Sequence, residues 1–298
     1  LIHFEDDLIM RLATLDTPYG PRACARAADR YVDLHAADPG LPASLRQILA
    51  LGTEALARAA RAAARPQPDI TYPAESAVFL PPIPDPQKII CLGLNYKDHA
   101  AESGMPVPEE PVLFSKFPSA LIGHRAAIEL PPESQQVDYE AELVAVIGKR
   151  ARRIPQEHAL ACVAGYAIGH DVSARDWQLH KPGKQWLAGK TFDTFAPLGP
   201  ELVTADEVKN PHNLRIQLRL NGHTMQDSST AQLIFPVDFV VAYLSRIMTL
   251  EPGDLIFTGT PPGVGMARKP PVYLQNGDQV EVEIESLGTL ENAVHAPL

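Results

Sequence analysis

Cysteine is scarce in this chain. Its 298 residues hold three, Cys24, Cys91 and Cys162, with no Cys-x-x-Cys spacing among them. A sparse, odd set argues against a disulfide frame and for a reducing compartment. Cys91 and Cys162 fall in apolar, strand-like runs and read as small core residues. Basic runs are also missing. Lys and Arg number 26 against 36 Asp and Glu, a net charge of −10, so no nucleic-acid partner is expected. No apolar stretch approaches the ~18 residues of a membrane span. The opening, residues 1–7, has no basic stretch and does not read as a signal peptide. These absences lead to the expectation of a cytoplasmic protein. What is present, 45% hydrophobic and 21% charged residues, is ordinary for a globular chain. An acidic protein that binds an anion must gather its cations locally.

Residues 10–14 and 30–34 read as short strands flanking Thr17-Pro18-Tyr19-Gly20-Pro21, a strong turn signal. Ser44 is a candidate N-cap for an Ala- and Arg-rich helix over 45–65, with Gly52 as a candidate break. Seven prolines follow between Pro66 and Pro86. This stiff, extended chain is the best candidate boundary, so a small N-terminal domain over 1–75 and a main domain over 76–298 are expected. In the main domain, 88–92 reads as a strand and 96–103 as a short helix. Residues 214–220 alternate with period two into Asn221-Gly222, a hairpin signal. Pro236 opens an amphipathic helix over 236–250. Glu251-Pro252-Gly253-Asp254 turns into a strand over 255–258. Residues 280–285 form a strand with one wet face. With no regular βαβα rhythm, the pattern predicts a β-rich α+β fold rather than a doubly wound sheet.

The most informative segment is Val137-Asp138-Tyr139-Glu140-Ala141-Glu142-Leu143. Glu140 and Glu142 head an apolar run, 143–147, that reads as a strand, and strand residues two apart point the same way. Two buried carboxylates facing one spot repel and cost several kcal/mol per ion unless a cation sits between them. Asp171, at the end of a second apolar run over 163–168, can supply a third. Such an all-oxygen site favours Mg²⁺, Mn²⁺ or Ca²⁺ over Zn²⁺. On spacing alone, an exposed edge strand with acidic residues is an equal alternative.

Other constellations are weaker by themselves. His99 and Glu102 are three apart on one predicted helix face, the spacing for a carboxylate that orients an imidazole base. Such a pair is more often a solvated surface feature. Arg175 and Gln178 repeat the spacing just after Asp171, where Arg175 could hold a substrate carboxylate by a forked contact. Lys190, after Gly189, could stabilise an oxyanion. Residues 257–265 form a Gly- and Pro-rich loop leaving a strand, which exposes backbone N–H groups to anions. It lacks the Gly-Lys-Ser/Thr ending of a phosphate-binding loop.

Five pieces occur in order: Gly93-Leu94-Asn95-Tyr96-Lys97-Asp98-His99, Asp138-Tyr139-Glu140-Ala141-Glu142-Leu143, Asp171-Val172-Ser173-Ala174-Arg175-Asp176, Gly189-Lys190-Thr191-Phe192-Asp193 and Thr258-Gly259-Thr260-Pro261. Together they resemble the fumarylacetoacetate hydrolase family, from about residue 88 onward. Residues 10–65 resemble the small N-terminal α/β domain of its longer bacterial members. The resemblance implies a mixed β-sandwich roll catalytic domain and a homodimer. It implies Mg²⁺ or Mn²⁺, with Ca²⁺ as a substitute, on Glu140, Glu142 and Asp171. It implies His99 and Glu102 as the catalytic pair, on a lid-forming segment near 106–118. Lys190 is implied as a catalytic group, and Arg175, Gln178 and Thr260 as substrate contacts. His170 and Phe117 depart from the usual Asn and Pro of relatives and put the substrate in doubt more than the fold.

The leading expectation from the resemblance is metal-dependent hydrolysis of a carbon–carbon bond in a 2,4-dioxo acid such as an acylpyruvate. The alternative is decarboxylation or keto–enol tautomerisation of oxaloacetate, or a 2-hydroxyhepta-2,4-diene-1,7-dioate-type isomerisation, on the same residues. A catalytically silent metal-binding protein is the rival from another class.

Overall fold

The computed structural model describes residues 9–296 except Ser103, Met105 and Gln185. The opening stretch read against a signal peptide lies outside the described residues. So does Ser103, the last residue of the expected 96–103 helix.

Strands dominate. A 12-stranded sheet runs, in hydrogen-bonded order, through Thr71–Pro73, Arg30–Asp33, Gly20–Ala27, Arg11–Thr17, Ala196–Thr204, Val163–His170, Ala141–Ile147, Leu255–Phe257, Ile89–Gly93 and Val112–Ser115, with two short strands branching from this path. A second sheet of five strands is built on the hairpin Arg215–Leu220/His223–Ser229 and on Gln279–Ile284 paired with Gly288–His295. The architecture is the β-rich α+β mixture that the patterning predicts.

Two cores hold it together. One lies between the sheets and takes Leu143, Ala145 and Ile147 from the central strand, Ile216, Leu218 and Leu220 from the hairpin, and Val240, Val241 and Leu244 from the helix Val237–Ile247. The other packs the opposite face of the large sheet, with Val144, Val146 and Phe257, against Leu45, Ile48 and Leu49 of the first long helical segment. The central strand is therefore buried on both faces, which explains its unbroken apolar run.

Local signals act as the chemistry suggests. Ser44 caps the helix Leu45–Leu51 by accepting from Gln47 N, and Gly52, at φ +79, separates it from Thr53–Ala63. Asn221 and Gly222, at φ 52 and 77, close the hairpin. The N-terminal pairing differs from expectation. Arg11–Thr17 pairs with Gly20–Ala27 across Pro18 and Tyr19, and Arg30–Asp33 is the third strand. Gly20–Ala27 is rich in Ala and Arg, which carry little strand propensity; its pairing with neighbours on both sides makes it a strand. Arg11–Thr17 also pairs with Ala196–Thr204, so the sheet is continuous across residue 75. Cys91 is buried in a strand, but Cys162 is half-buried in a 3-10 turn and not in the strand expected for it. Among the described residues no helix is long and apolar enough to cross a membrane.

Candidate active site

The antiparallel pairing of Ala141–Ile147 with Val163–His170 sets Ala141 opposite His170 and Glu142 opposite Gly169. Asp171 N then donates to Glu140 O at 2.9 Å. This register brings carboxylates from two distant sequence segments together. Glu140, Glu142 and Asp171 are all buried, with one oxygen from each lying within 4.8 Å of the others. The exposed-edge alternative is ruled out, because the strand is central and Glu142 is 1% exposed.

Three buried cations face these acids. Lys190 Nζ lies 2.7 Å from Glu140 and 2.8 Å from Asp171. Lys116 Nζ lies 2.7 Å from the other oxygen of Asp171 and also donates to the carbonyls of Val172, Lys190 and Phe195. Arg175 gives Nε to Asp138 at 2.8 Å and one terminal nitrogen to Glu140 at 2.7 Å; the other donates to Gln178 Oε1 at 2.9 Å. Burial raises the Glu140 carboxyl, but Lys190 and Arg175 outweigh it and hold the group well below its usual range. Burial lowers Lys190, and Asp171 and Glu140 outweigh it and raise the group.

Glu142 differs from its neighbours. Its partner is the Gly259 N–H at 2.8 Å, and no cation pairs with it among the described residues. Burial, and then the charges of Asp171 and Glu140, push it well above the usual carboxylate range. The cluster thus holds Asp138, Glu140, Glu142 and Asp171 against Lys116, Arg175 and Lys190, leaving one carboxylate without a counter-ion. The donor set, all oxygen and one cation short, could hold a hard divalent ion.

The Gly- and Pro-rich loop does bind anions, and they are the protein's own carboxylates. Gly259 N donates to Glu142, Gly263 N to Glu102 at 3.0 Å, and Gly265 N and Met266 N to Asp138 at 2.7 and 3.0 Å. Thr260, on the same loop, accepts from Gln226 at 2.9 Å. His99 Nδ1 lies 3.1 Å from Glu102, with His99 itself 9% exposed. A carboxylate accepts, so Nδ1 carries a proton, and Nε2 is the ring nitrogen that Glu102 leaves unengaged.

These residues line a cavity of about 350 Å³. Its polar wall holds His99, Glu102, Glu140, Arg175, Gln178, Lys190 and Thr260. Of the acidic triad, Glu140 reaches the cavity; Glu142 and Asp171 sit behind it. Every expected site residue is therefore in one place. Arg175 is more committed than its expected role as a substrate fork suggests, since all three guanidinium nitrogens already have protein partners. Sequence reasoning missed two buried groups. Asp138 stood inside a quoted motif and is the anchor that aims Arg175. Lys116 was not singled out, and nothing local in the sequence marks it as buried. His170 is buried and, among the described residues, neither ring nitrogen has a hydrogen-bond partner; burial, then Lys116, lowers it to about 3.

Residues 88–295 match the family model for the fumarylacetoacetate (FAA) hydrolase C-terminal domain. The chain belongs to the fumarylacetoacetate hydrolase family. It is 48% identical to oxaloacetate tautomerase FAHD2A, mitochondrial, of Bos taurus over 98% of this chain and 93% of that protein. It is 47% identical to the Homo sapiens protein of the same name, with the same coverage. Among solved structures it resembles fumarylacetoacetate hydrolase from the psychrophile Exiguobacterium antarcticum (TM-score 0.83, 36% identity, 97% of this chain and 100% of that one). It also resembles 2-hydroxyhepta-2,4-diene-1,7-dioate isomerase from Mycobacterium marinum (TM-score 0.76, 31% identity, 96% and 98%). The protein is a fumarylacetoacetate hydrolase-family enzyme. The expectation of a cytoplasmic location is overturned by these relatives, because the bovine and human proteins are mitochondrial. Composition could not reveal this, since an acidic, cysteine-poor chain suits either compartment.

Proposed function

We propose that this enzyme interconverts the keto and enol forms of a 2-oxo acid, with oxaloacetate as the substrate suggested by its relatives. The observation that carries the reading is identity of 47–48% across 98% of the chain to two oxaloacetate tautomerases. The hydrolytic reading, expected first, rests on likeness at the level of the family. In the site, one base and a set of oxyanion-stabilising groups line a common cavity, which is what enolisation requires.

Glu140, Glu142 and Asp171 would hold the divalent cation, Mg²⁺ or Mn²⁺. When bound, it would supply Lewis-acid stabilisation of charge on the 2-oxo oxygen. His99 Nε2 takes the proton from C3 and returns it in the reverse direction. Glu102 keeps the imidazole in the tautomer that leaves Nε2 free. The C3–H electron pair becomes the C2–C3 double bond, and the carbonyl pair moves onto oxygen, which takes a proton from water to give the enol while His99 returns its proton to water. Lys190, held by two carboxylates, is the ammonium nearest to that charge. Gln178 offers its NH₂, because its oxygen is taken by Arg175. Thr260 is the remaining polar contact for the substrate carboxylate.

The test is to add enol oxaloacetate to protein loaded with Mg²⁺ and follow its ketonisation by NMR. A metal-dependent acceleration supports the reading. Unchanged decay with metal bound, as judged by calorimetry, overturns it. Acetate and pyruvate formed from acetylpyruvate under the same conditions would favour hydrolysis instead.

A further inference from the structure

The cavity has a second wall that the keto–enol chemistry of oxaloacetate does not use. It is made by Leu94, Phe114, Leu179, Trp186, Val264 and Met266. Its position relative to the polar wall is fixed by Phe114. Lys190 Nζ lies 5.1 Å from the Phe114 ring centre, and Trp186 meets the same ring edge-on at 5.6 Å. Polar and apolar walls therefore join at Phe114, and the apolar one continues through Trp186. The Trp186 position is built into the fold. A Cβ at Gly93 would collide with the indole, so the glycine at the end of the strand lets the ring lie against the backbone.

Oxaloacetate is a short diacid. With its 2-oxo carboxylate end at the triad, its far carboxylate would face this wall. Among the described residues, Arg175 and Lys190 supply the Arg and Lys side chains of the cavity, and both already pair with protein carboxylates. A second anionic end finds no free Arg or Lys there, and desolvating it against hydrocarbon is unfavourable. A ring or alkyl tail suits the wall, and aromatic contacts add to simple burial.

Resting on the keto–enol reading above, we propose that the enzyme also takes 2-oxo acids with an apolar, aryl-sized substituent on C3, seated against Phe114 and Trp186. The step is the same: the C3 proton passes to His99 Nε2, the C3–H pair becomes the C2–C3 double bond, and the carbonyl pair moves onto oxygen. That oxygen takes a proton from water while His99 returns its own to water, so the net change is one proton moved from C3 to oxygen. No co-reactant is needed.

The experiment compares ketonisation of enol phenylpyruvate and enol oxaloacetate by the Mg²⁺-loaded enzyme, its Trp186→Ala variant and its Trp186→Phe variant. Calorimetry with phenyllactate and malate, which cannot enolise, reads binding separately. The wild type should accelerate both reactions and bind phenyllactate about tenfold more tightly than malate. Trp186→Ala should lower the ratio of kcat/KM for phenylpyruvate over oxaloacetate by about tenfold or more, the scale of a lost apolar contact. It should also erase the phenyllactate preference, and Trp186→Phe should restore most of both. Acceleration of oxaloacetate alone overturns this proposal and leaves the keto–enol reading standing. Acceleration of neither, with metal bound, overturns the keto–enol reading itself. An unchanged ratio and unchanged phenyllactate affinity in Trp186→Ala overturn the placement of the tail.

Discussion

The backbone N–H of Gly263 donates to Glu102 at 3.0 Å across 161 residues of sequence. Glu102 in turn holds His99, so the orientation of the imidazole depends on the loop that leaves the neighbouring parallel strand, Leu255–Phe257. Gly263 sits at φ +100, and a Cβ there would collide with the carbonyl of Met225. Gly263→Ala should therefore shift the loop and release Glu102. The expected outcome is a fall in kcat/KM of about 10²-fold, the cost of a misplaced catalytic group, with metal affinity retained. Steady-state kinetics paired with metal titration checks both halves.

His99→Ala should lower ketonisation of enol oxaloacetate by ~10²–10⁴-fold, the usual contribution of a general base. Metal should still bind, because His99 is outside the acidic triad. Glu102→Gln should give a smaller loss of the same sign, since an amide can still orient the ring without favouring its protonated form. Equal losses in the two variants would show that Glu102 does more than orient.

Glu142 is the triad member without a cation, so it should be the most sensitive reporter of metal. Mg²⁺ or Mn²⁺ should raise the thermal midpoint of the wild type, because the folded state alone gathers three carboxylates. Glu142→Ala should remove that response, and Glu142→Gln, which keeps the volume and an acceptor for the Gly259 N–H while removing the charge, should also raise the midpoint of the metal-free protein. Differential scanning fluorimetry with and without chelator separates the two effects.

His124, which is not among the residues that line the cavity, offers a pH test. Its Nδ1 accepts from Glu291 N at 3.1 Å, and it packs edge-on against Phe79. Burial, then the neighbouring Arg125, lowers it to about 4. A histidine depressed in the folded state contributes stability that is present above its unfolded value of ~6.5 and is lost as pH falls towards about 4. After allowance for solvent screening, the loss between pH 7 and 5 should be about 1 kcal/mol. Urea unfolding should show it, and His124→Gln should flatten this part of the profile.

Much of the site was legible because its signals are local. Extended chain running into the strand Ala141–Ile147 brings Glu140 and Glu142 to one spot, an i,i+3 spacing places His99 beside Glu102, and Asn221-Gly222 demands a hairpin. These depend on backbone geometry that any few residues carry with them. The N-terminal strand Gly20–Ala27 was not legible, because its residues have no preference for the state that its neighbours impose on it.

The sequence by itself therefore determined the fold class, the acidic cluster and which residues gather around the cavity. Tertiary structure decided what those groups are free to do. Burial of the central strand on both faces turned an ambiguous acidic pair into a cluster that is one cation short. Long-range contacts committed Arg175 to Asp138 and Glu140, drew Lys116 beneath the site and spent the loop's N–H groups on Glu142, Glu102 and Asp138. Such pairings join residues far apart in the chain. Their strength comes from exclusion of water, a property of the packed molecule that no sequence window contains.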